Sequence, residues 1–482
     1  MKYSLNAAAL AAFSSYALAK EMAPNEELAA TLYDSGLQHE TIMSAKMSFW
    51  DSRREQGIFD SSQYKSMDAS VASVPCVDGL AEMVAGDPLY TFNCSNIDLY
   101  DFQSHVDLGS PTGEGAGSWG WTSDDGREFM AIAQSDGAAL VEISSAGKMI
   151  YLGRLPQYKD AQPSLWREIK GYKSYIVVGS EANNHGIQIF DMSKLLDVDP
   201  ASPVTFSNDP ADGDFYWFKH ASSGRSHTVQ TNEEMGYAVA SGAMPRTDKC
   251  KSGLIFIDLT DMDNLSSPGC AEVDGYVHDA QCVVYRGPDT KYVGTDICYG
   301  YNEDTLTIYN VTDKAASTII SRTSYEGAAY THQGWLLDNE WQQYLVLDDE
   351  YDEYDQVGPG TAQYPITYIW DLTSLEAPKQ TGYYSAKVKG IDHNQFINGD
   401  FAFQSNYGGG LHVLDISSIP SDPTGASVAE VGHFDIYPED DDLEGGGMVD
   451  FVGTWSHYPY FKSGYIVINT IERGAYVVKR TA

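Results

Sequence analysis

Basic residues are scarce. Only 30 Lys+Arg stand against 68 Asp+Glu in 482 residues, a formal net charge of −38. That deficit excludes a nucleic-acid binder, which needs a basic face to displace counterions, and it disfavours docking on anionic lipid. Long apolar runs are missing too. No stretch of about 18 apolar residues follows the N-terminus, so no membrane span is expected. There is no G-x-S-x-G elbow or P-loop. Cysteine is sparse, at six, and none of the spacings matches a zinc ribbon. What the chain does have is 43% hydrophobic residues, with 33 Tyr, 44 Gly and 19 Pro. Such a composition supports a packed core built from strands and tight turns.

The first residues read as a secretory signal. Lys2 supplies the positive start, Leu5 to Ala17 the apolar stretch, and Ala17-Leu18-Ala19 the small-x-small cleavage pattern. Residues 1–19 are therefore expected to be a signal peptide and the mature protein secreted and extracellular. An even cysteine count suits that compartment. Proximity favours the disulfides Cys76–Cys94, Cys250–Cys270 and Cys282–Cys298. Sequons at Asn93, Asn264 and Asn310 make a glycoprotein the expectation.

A repeat organises the rest. AALVEIS (from Ala138), GIQIFDMS (from Gly186), GLIFIDLT (from Gly253), TLTIYNVT (from Thr305), TYIWDLT (from Thr367), GLHVLDIS (from Gly410) and the truncated GAYVVK (from Gly474) share one alternating pattern. A second β-rich run precedes each copy, from EFMAIAQS (Glu128) to GYIVINTI (Gly464). Fourth strands are expected near Tyr151, Ile320, Thr381 and Val431. Seven four-strand repeats describe an all-β, seven-bladed β-propeller. The last repeat stops after its third strand. Asn96–Leu108 is predicted to close the ring, because an uncovered edge invites aggregation.

Residues 20–75 differ. Leu28, Leu32, Leu37, Ile42 and Met47 recur at roughly helical spacing. A small helical N-terminal extension or pro-segment is predicted there, followed by a Ser-rich linker over 60–75, with the propeller spanning 76–482.

A polar signature opens each repeat, so in a propeller these residues converge on one mouth of the central channel. Five of the eleven histidines, His227, His278, His332, His393 and His457, occupy equivalent positions in consecutive repeats. Neutral imidazoles beside carboxylates suit a transition metal, acid–base work or a buried hydrogen-bond network. A ligand-binding mouth is expected from Trp166, Arg167, Glu168, His227, Trp335, Asn406, Trp455, His457 and Arg473. Any catalysis would fall to His278, His332 or His393, with Asp279, Asp392 or Glu168 orienting an imidazole. Asp348, Asp349 and Glu350 are the expected ligands of a divalent cation, Ca2+ or another metal. Glu439–Asp442 reads as a solvated loop.

The segments SLWREIK, HGIQIFD, DGYVHDAQCVVYRGPD, NEDTLTIYNVTDK, YTHQGWLLD, LDDEYDE, IDHNQF and GTWSHYPYF resemble the choice-of-anchor B family. The likeness runs from about Cys76 to Lys479 and is most specific from Asp274 to Trp335. It implies LVIVD-type propeller repeats in a secreted or surface-tethered protein; fungal members carry the label "regulatory P domain". Because no hydrophobic tail precedes Ala482, free secretion is expected over anchoring. The expected function is binding of an extracellular glycan, small molecule or protein by a monomer. The alternative is a carbohydrate-active hydrolase or lyase using the channel-mouth His and Asp, with metal assistance.

Overall fold

Strand after strand of this chain is buried on both faces; all of Glu128–Gln134, for instance, is inaccessible to solvent. Strands of that kind must be sandwiched between sheets. A computed structural model describes residues 20–481. Residues 1–19, expected to be a signal peptide, lie outside the described residues. Seven antiparallel sheets follow one another along the chain. Their first strands are Gly115–Thr122, Arg167–Tyr172, Thr228–Asn232, Asp279–Val284, Thr331–Leu336, Gln395–Asn398 and Thr454–Tyr458, blades 1 to 7. First strands of neighbouring blades touch from blade 7 through blade 1 to blade 6, and blade 6 meets blade 7 through its second strand. The fold is a closed seven-bladed β-propeller.

Closure runs as expected. Ile97–Ser104 pairs antiparallel with Gly474–Arg480 as the outer strand of blade 7, with Phe102 opposite Tyr476. The four expected outer strands form at Met149–Pro156, Thr318–Tyr325, Lys379–Ser385 and Ala429–Phe434. Blades 2 and 3 are completed by Tyr216–Phe218 and Ser266–Ala271, which carry no comparable repeat signature. All three expected disulfides are present. Cys282 and Cys298 face one another across the first two strands of blade 4. Each bridge closes a short loop and stabilises by about 3 kcal/mol on the chain-entropy account. Asn264 lies exposed in a turn, whereas Asn93 and Asn310 are half-buried in strands, so Asn264 is the most accessible sequon.

The N-terminal extension forms helix Leu37–Glu55, but its buried face differs from the expected one. Leu28, Leu37 and Met47 are exposed. His39, Ile42, Lys46 and Trp50, spaced three and four residues apart, point inward instead. This helix lies across the propeller channel. The stretch expected to be a linker is also packed: Ser61, Tyr64, Met67 and Val74 are buried, and Met67 N–H donates to Phe102 O at 2.8 Å. It is a strap across blade 7.

Ion pairs anchor the extension's start. Arg246 Nη1 donates to Tyr33 O at 2.8 Å, and its guanidinium grips Glu303. Arg322 pairs with Asp274 and Glu26. Burial pushes Glu303 up to about 7 despite Arg246. Burial and the Asp274 charge push Asp304 up to about 7. Unfolded carboxyls titrate near 4, so the native state holds extra protons up to pH ~7. Buried histidines with lowered pKa act in the opposite sense, and their contribution fades as pH climbs past the unfolded value of ~6.5. From pH ~6.5 to 8, stability therefore falls as pH rises, by roughly 1 kcal/mol per raised carboxyl. Urea midpoints should drop over that window, and Asp304→Asn should flatten the drop. A midpoint that rises towards pH ~8 would contradict this assignment.

Candidate functional site

Three of the site histidines, His227, His278 and His393, end the loops that enter the first strands of blades 3, 4 and 6. His332 is the bulged residue of blade 5, where the register shifts between Thr331 and Gln333. Bulges re-aim side chains, and here the ring turns into the channel. The four rings form an arc, with successive centroids 4.2, 4.3 and 4.6 Å apart.

Each ring has the same tautomer, set by a close acceptor on Nδ1; at His393 the Asn394 Nδ2 also lies 3.1 Å from that atom. His227 Nδ1 donates to Glu181 Oε1 at 2.5 Å and His332 Nδ1 to Asp348 Oδ1 at 3.2 Å. His278 Nδ1 donates to His332 O at 2.8 Å and His393 Nδ1 to Trp455 O at 2.6 Å. All four Nε2 atoms are left as lone-pair donors. Burial holds His278 and His332 well below the usual imidazole range, and the neighbouring imidazoles add to this. Burial lowers His393 to about 4, against the pull of Glu350. His278, His332 and His393 are therefore neutral at pH 7.

Glu350 faces this arc. It brings a ligand atom within 4.8 Å of those offered by His278 and His332. Its Oε1 accepts from Lys46 Nζ at 2.5 Å and from Tyr407 OH at 2.5 Å. Burial opposes its ionisation, but Lys46 and His393 more than offset that and hold it below the ordinary carboxyl value. The helix supplies the roof. Trp50 is fully buried, packs 5.1 Å from Trp166 and 6.2 Å from Trp455, and donates from Nε1 to Phe451 O at 2.8 Å. His39 Nδ1 bonds Tyr330 OH at 2.8 Å. The four imidazoles line a cavity of about 20 Å3, together with Trp166 and Trp455. That is room for about one water or ion.

The other expected site residues disperse. His457 is absent from the arc. In blade 7 the bulge falls between Thr454 and Ser456, so Trp455 takes the position that His332 holds in blade 5. His457 lies two residues further on, against Phe396, with Nδ1 bonded to Ser405 Oγ at 2.8 Å. Arg167 and Glu168 do line the cavity. Arg167 is spent on His185 at 2.7 Å, and Glu168 forms an ion pair with Lys170. Trp335 packs on Phe396 and opens into a separate depression beside Asn339 and Ile397. Arg473 is sealed between Tyr64 and Tyr437 and paired with Glu439, so it offers no anion site. Asn406 is buried with both side-chain polar atoms unpartnered.

The expected orienting carboxylates also change. Asp279 accepts from Gln230 and Gln333 at 2.9 and 3.0 Å and touches no imidazole. Asp392 is buried with both oxygens unpartnered. Asp348 and Glu181 do the orienting instead. The triplet Asp348, Asp349 and Glu350 does not chelate as a unit, because successive strand residues point to opposite faces. Asp349 is consumed by Tyr325 OH and the backbone N–H groups of Ala329, Tyr330 and Tyr351. Only Glu350 joins the histidines. Lys46, Trp50 and Tyr407 carried no sequence signal as site residues; the spacing of His39, Ile42, Lys46 and Trp50 was the one readable clue.

No family model and no curated protein matches this sequence. Among solved structures, the computationally designed Ika8 protein aligns with a TM-score of 0.43 and 10% identity, over 87% of this chain and 96% of that one. The fold rests on the seven sheets themselves. No helix among the described residues is long and apolar enough to cross a membrane.

Proposed function

We propose that this protein is a secreted β-propeller that binds a first-row transition-metal ion at the channel axis through His278, His332 and Glu350, with His227 and His393 beside them. One observation carries the reading: four neighbouring imidazoles each commit Nδ1–H to a carboxylate or carbonyl, which leaves Nε2 as the lone-pair donor, and all four line a single cavity. Metal-ligating histidines are oriented in this way almost without exception. Imidazole and carboxylate donors suit Zn2+, Cu2+ or Fe2+ over the hard alkaline-earth ions. The size of the cavity favours an ion over a glycan, which needs several hundred Å3. A hydrolase or lyase has less support, since neither Asp279 nor Asp392 orients a ring. Three disulfides favour an oxidising compartment, and membership of the choice-of-anchor B family belongs to the same proposal, on the motifs quoted above.

Calorimetry with Zn2+ on chelator-stripped protein tests it. About one equivalent should bind, with affinity lost by at least ~100-fold in His278→Ala/His332→Ala. Binding that survives the double substitution would sink the proposal.

A further inference from the structure

The loop after the outer strand of blade 6 gathers three carboxylates. Asp435, Asp440 and Asp441 each bring a ligand atom within 4.8 Å of the other two. Acidic residues on a surface are commonplace, but two of these are enclosed: Asp440 is 0% exposed and Asp435 4%, with Asp441 half-buried beside them. Asp440 Oδ1 and Asp441 Oδ1 have no hydrogen-bond partner. A buried, unpartnered carboxylate oxygen costs several kcal/mol unless a cation or a proton neutralises it. The nearby cation does not serve, since Arg473 is held by Glu439 and stacked on Tyr64 and Tyr437.

The remaining carboxylate contacts shape the loop without neutralising it. Asp440 Oδ2 accepts Met448 N–H at 2.7 Å, and Asp435 Oδ1 accepts Tyr437 N–H at 2.8 Å. Gly445 and Gly446, at φ +95° and +76°, let the chain double back between those two anchors. Donors of this kind, all oxygen with neither His nor Cys, select a hard cation. Ca2+ fits better than Mg2+, because a flexible loop of carboxylates tolerates irregular coordination and Mg2+ requires a near-ideal octahedron.

We propose that Asp435, Asp440 and Asp441 form a Ca2+ site, separate from the axial histidines, that staples the 435–451 loop. The loop in turn clasps the helix over the channel. Tyr437 OH accepts from Arg53 Nη2 at 2.8 Å, Phe451 O accepts from Trp50, and Lys46 Nζ lies 4.4 Å from the centre of the Phe451 ring. Ca2+ at this position links blade 6 to the lid, so the lid is held more tightly when extracellular Ca2+ is present.

The full mature chain, stripped with EDTA, is titrated with Ca2+ and separately with Mg2+. One Ca2+ should bind with Kd in the range of about 10⁻⁵ to 10⁻³ M, and the melting temperature should rise by roughly 3 °C at ~100 Kd. Amide exchange within Leu37–Glu55 should slow at least ~10-fold when Ca2+ is added. Asp440→Asn should abolish binding. Asp441→Asn, at a half-buried position that tolerates change better, should weaken it by at least ~10-fold. His278→Ala/His332→Ala should leave Ca2+ affinity within about threefold of the parent, which separates this site from the axial one. The proposal is overturned if the parent shows no Ca2+ binding at ~5 mM. Unchanged affinity in folded Asp441→Asn, or Mg2+ binding as tight as Ca2+, overturns it equally. Loss of Ca2+ binding in the histidine variant would show that there is only the axial site.

Discussion

Trp50→Ala is expected to release the lid. The indole is fully buried, wedged between Trp166 and Trp455 and bonded to Phe451 O. Truncating a buried aromatic of this size costs about 3–5 kcal/mol in lost burial and residual cavity. The helix can undock while the sheets stay paired, so the cost should fall on the lid alone. Amide exchange across Leu37–Glu55 should accelerate by roughly 10²–10³-fold, with the propeller strands unaffected. Acceleration below about tenfold would mean that the lid is held chiefly elsewhere. Uniform acceleration through the strands would mean that helix and propeller unfold as one unit.

Lys46→Met should be nearly as severe, for a different reason. Lys46 and Glu350 are both buried, at 3% and 2% exposure, and paired at 2.5 Å. Removing one member of a buried pair strands the other charge at a cost of about 3–5 kcal/mol. The double variant Lys46→Met/Glu350→Gln removes both charges and should recover most of that loss. Denaturation midpoints of the two single variants and the double variant close the cycle. The ammonium also repels any cation brought to Glu350. If His278, His332 and Glu350 bind metal, Lys46→Met should bind Zn2+ roughly tenfold tighter, equivalent to about 1.4 kcal/mol. Zn2+ should then restore part of the lost stability. Weaker Zn2+ binding in Lys46→Met would place the ammonium among the features that assemble the site.

The blades were legible because each repeats the same alternation, and every central strand must be apolar on both faces. The closing strand was legible for a related reason: a last repeat without its outer strand required one from elsewhere. The histidines were legible as a group, but their directions were not. Whether a ring enters the channel depends on where a bulge falls, and blades 5 and 7 place theirs at His332 and Trp455. Nothing in the spelling of Trp455-Ser456-His457 distinguishes those two outcomes. The lid was hidden more deeply. Its buried face includes His39 and Lys46, polar residues that a hydrophobic pattern assigns to solvent, and their partners Tyr330 and Glu350 lie far along the chain. The acidic loop misled in the same way, since Asp440 reads as a surface charge until the fold encloses it.

Lid and ring closure come from neighbouring stretches of one chain, and the strap between them belongs to the ring. Between helix Leu37–Glu55 and closing strand Ile97–Ser104 the strap is pinned three times. Met67 N–H bonds to Phe102 O, Val74 exchanges two hydrogen bonds with Leu99, and Cys76 is bridged to Cys94. Two of those pins, at Phe102 and Leu99, sit on the closing strand itself, so the strap stays with the ring when the helix lifts. Undocking of the helix can therefore stop at the strap and leave blade 7 shut.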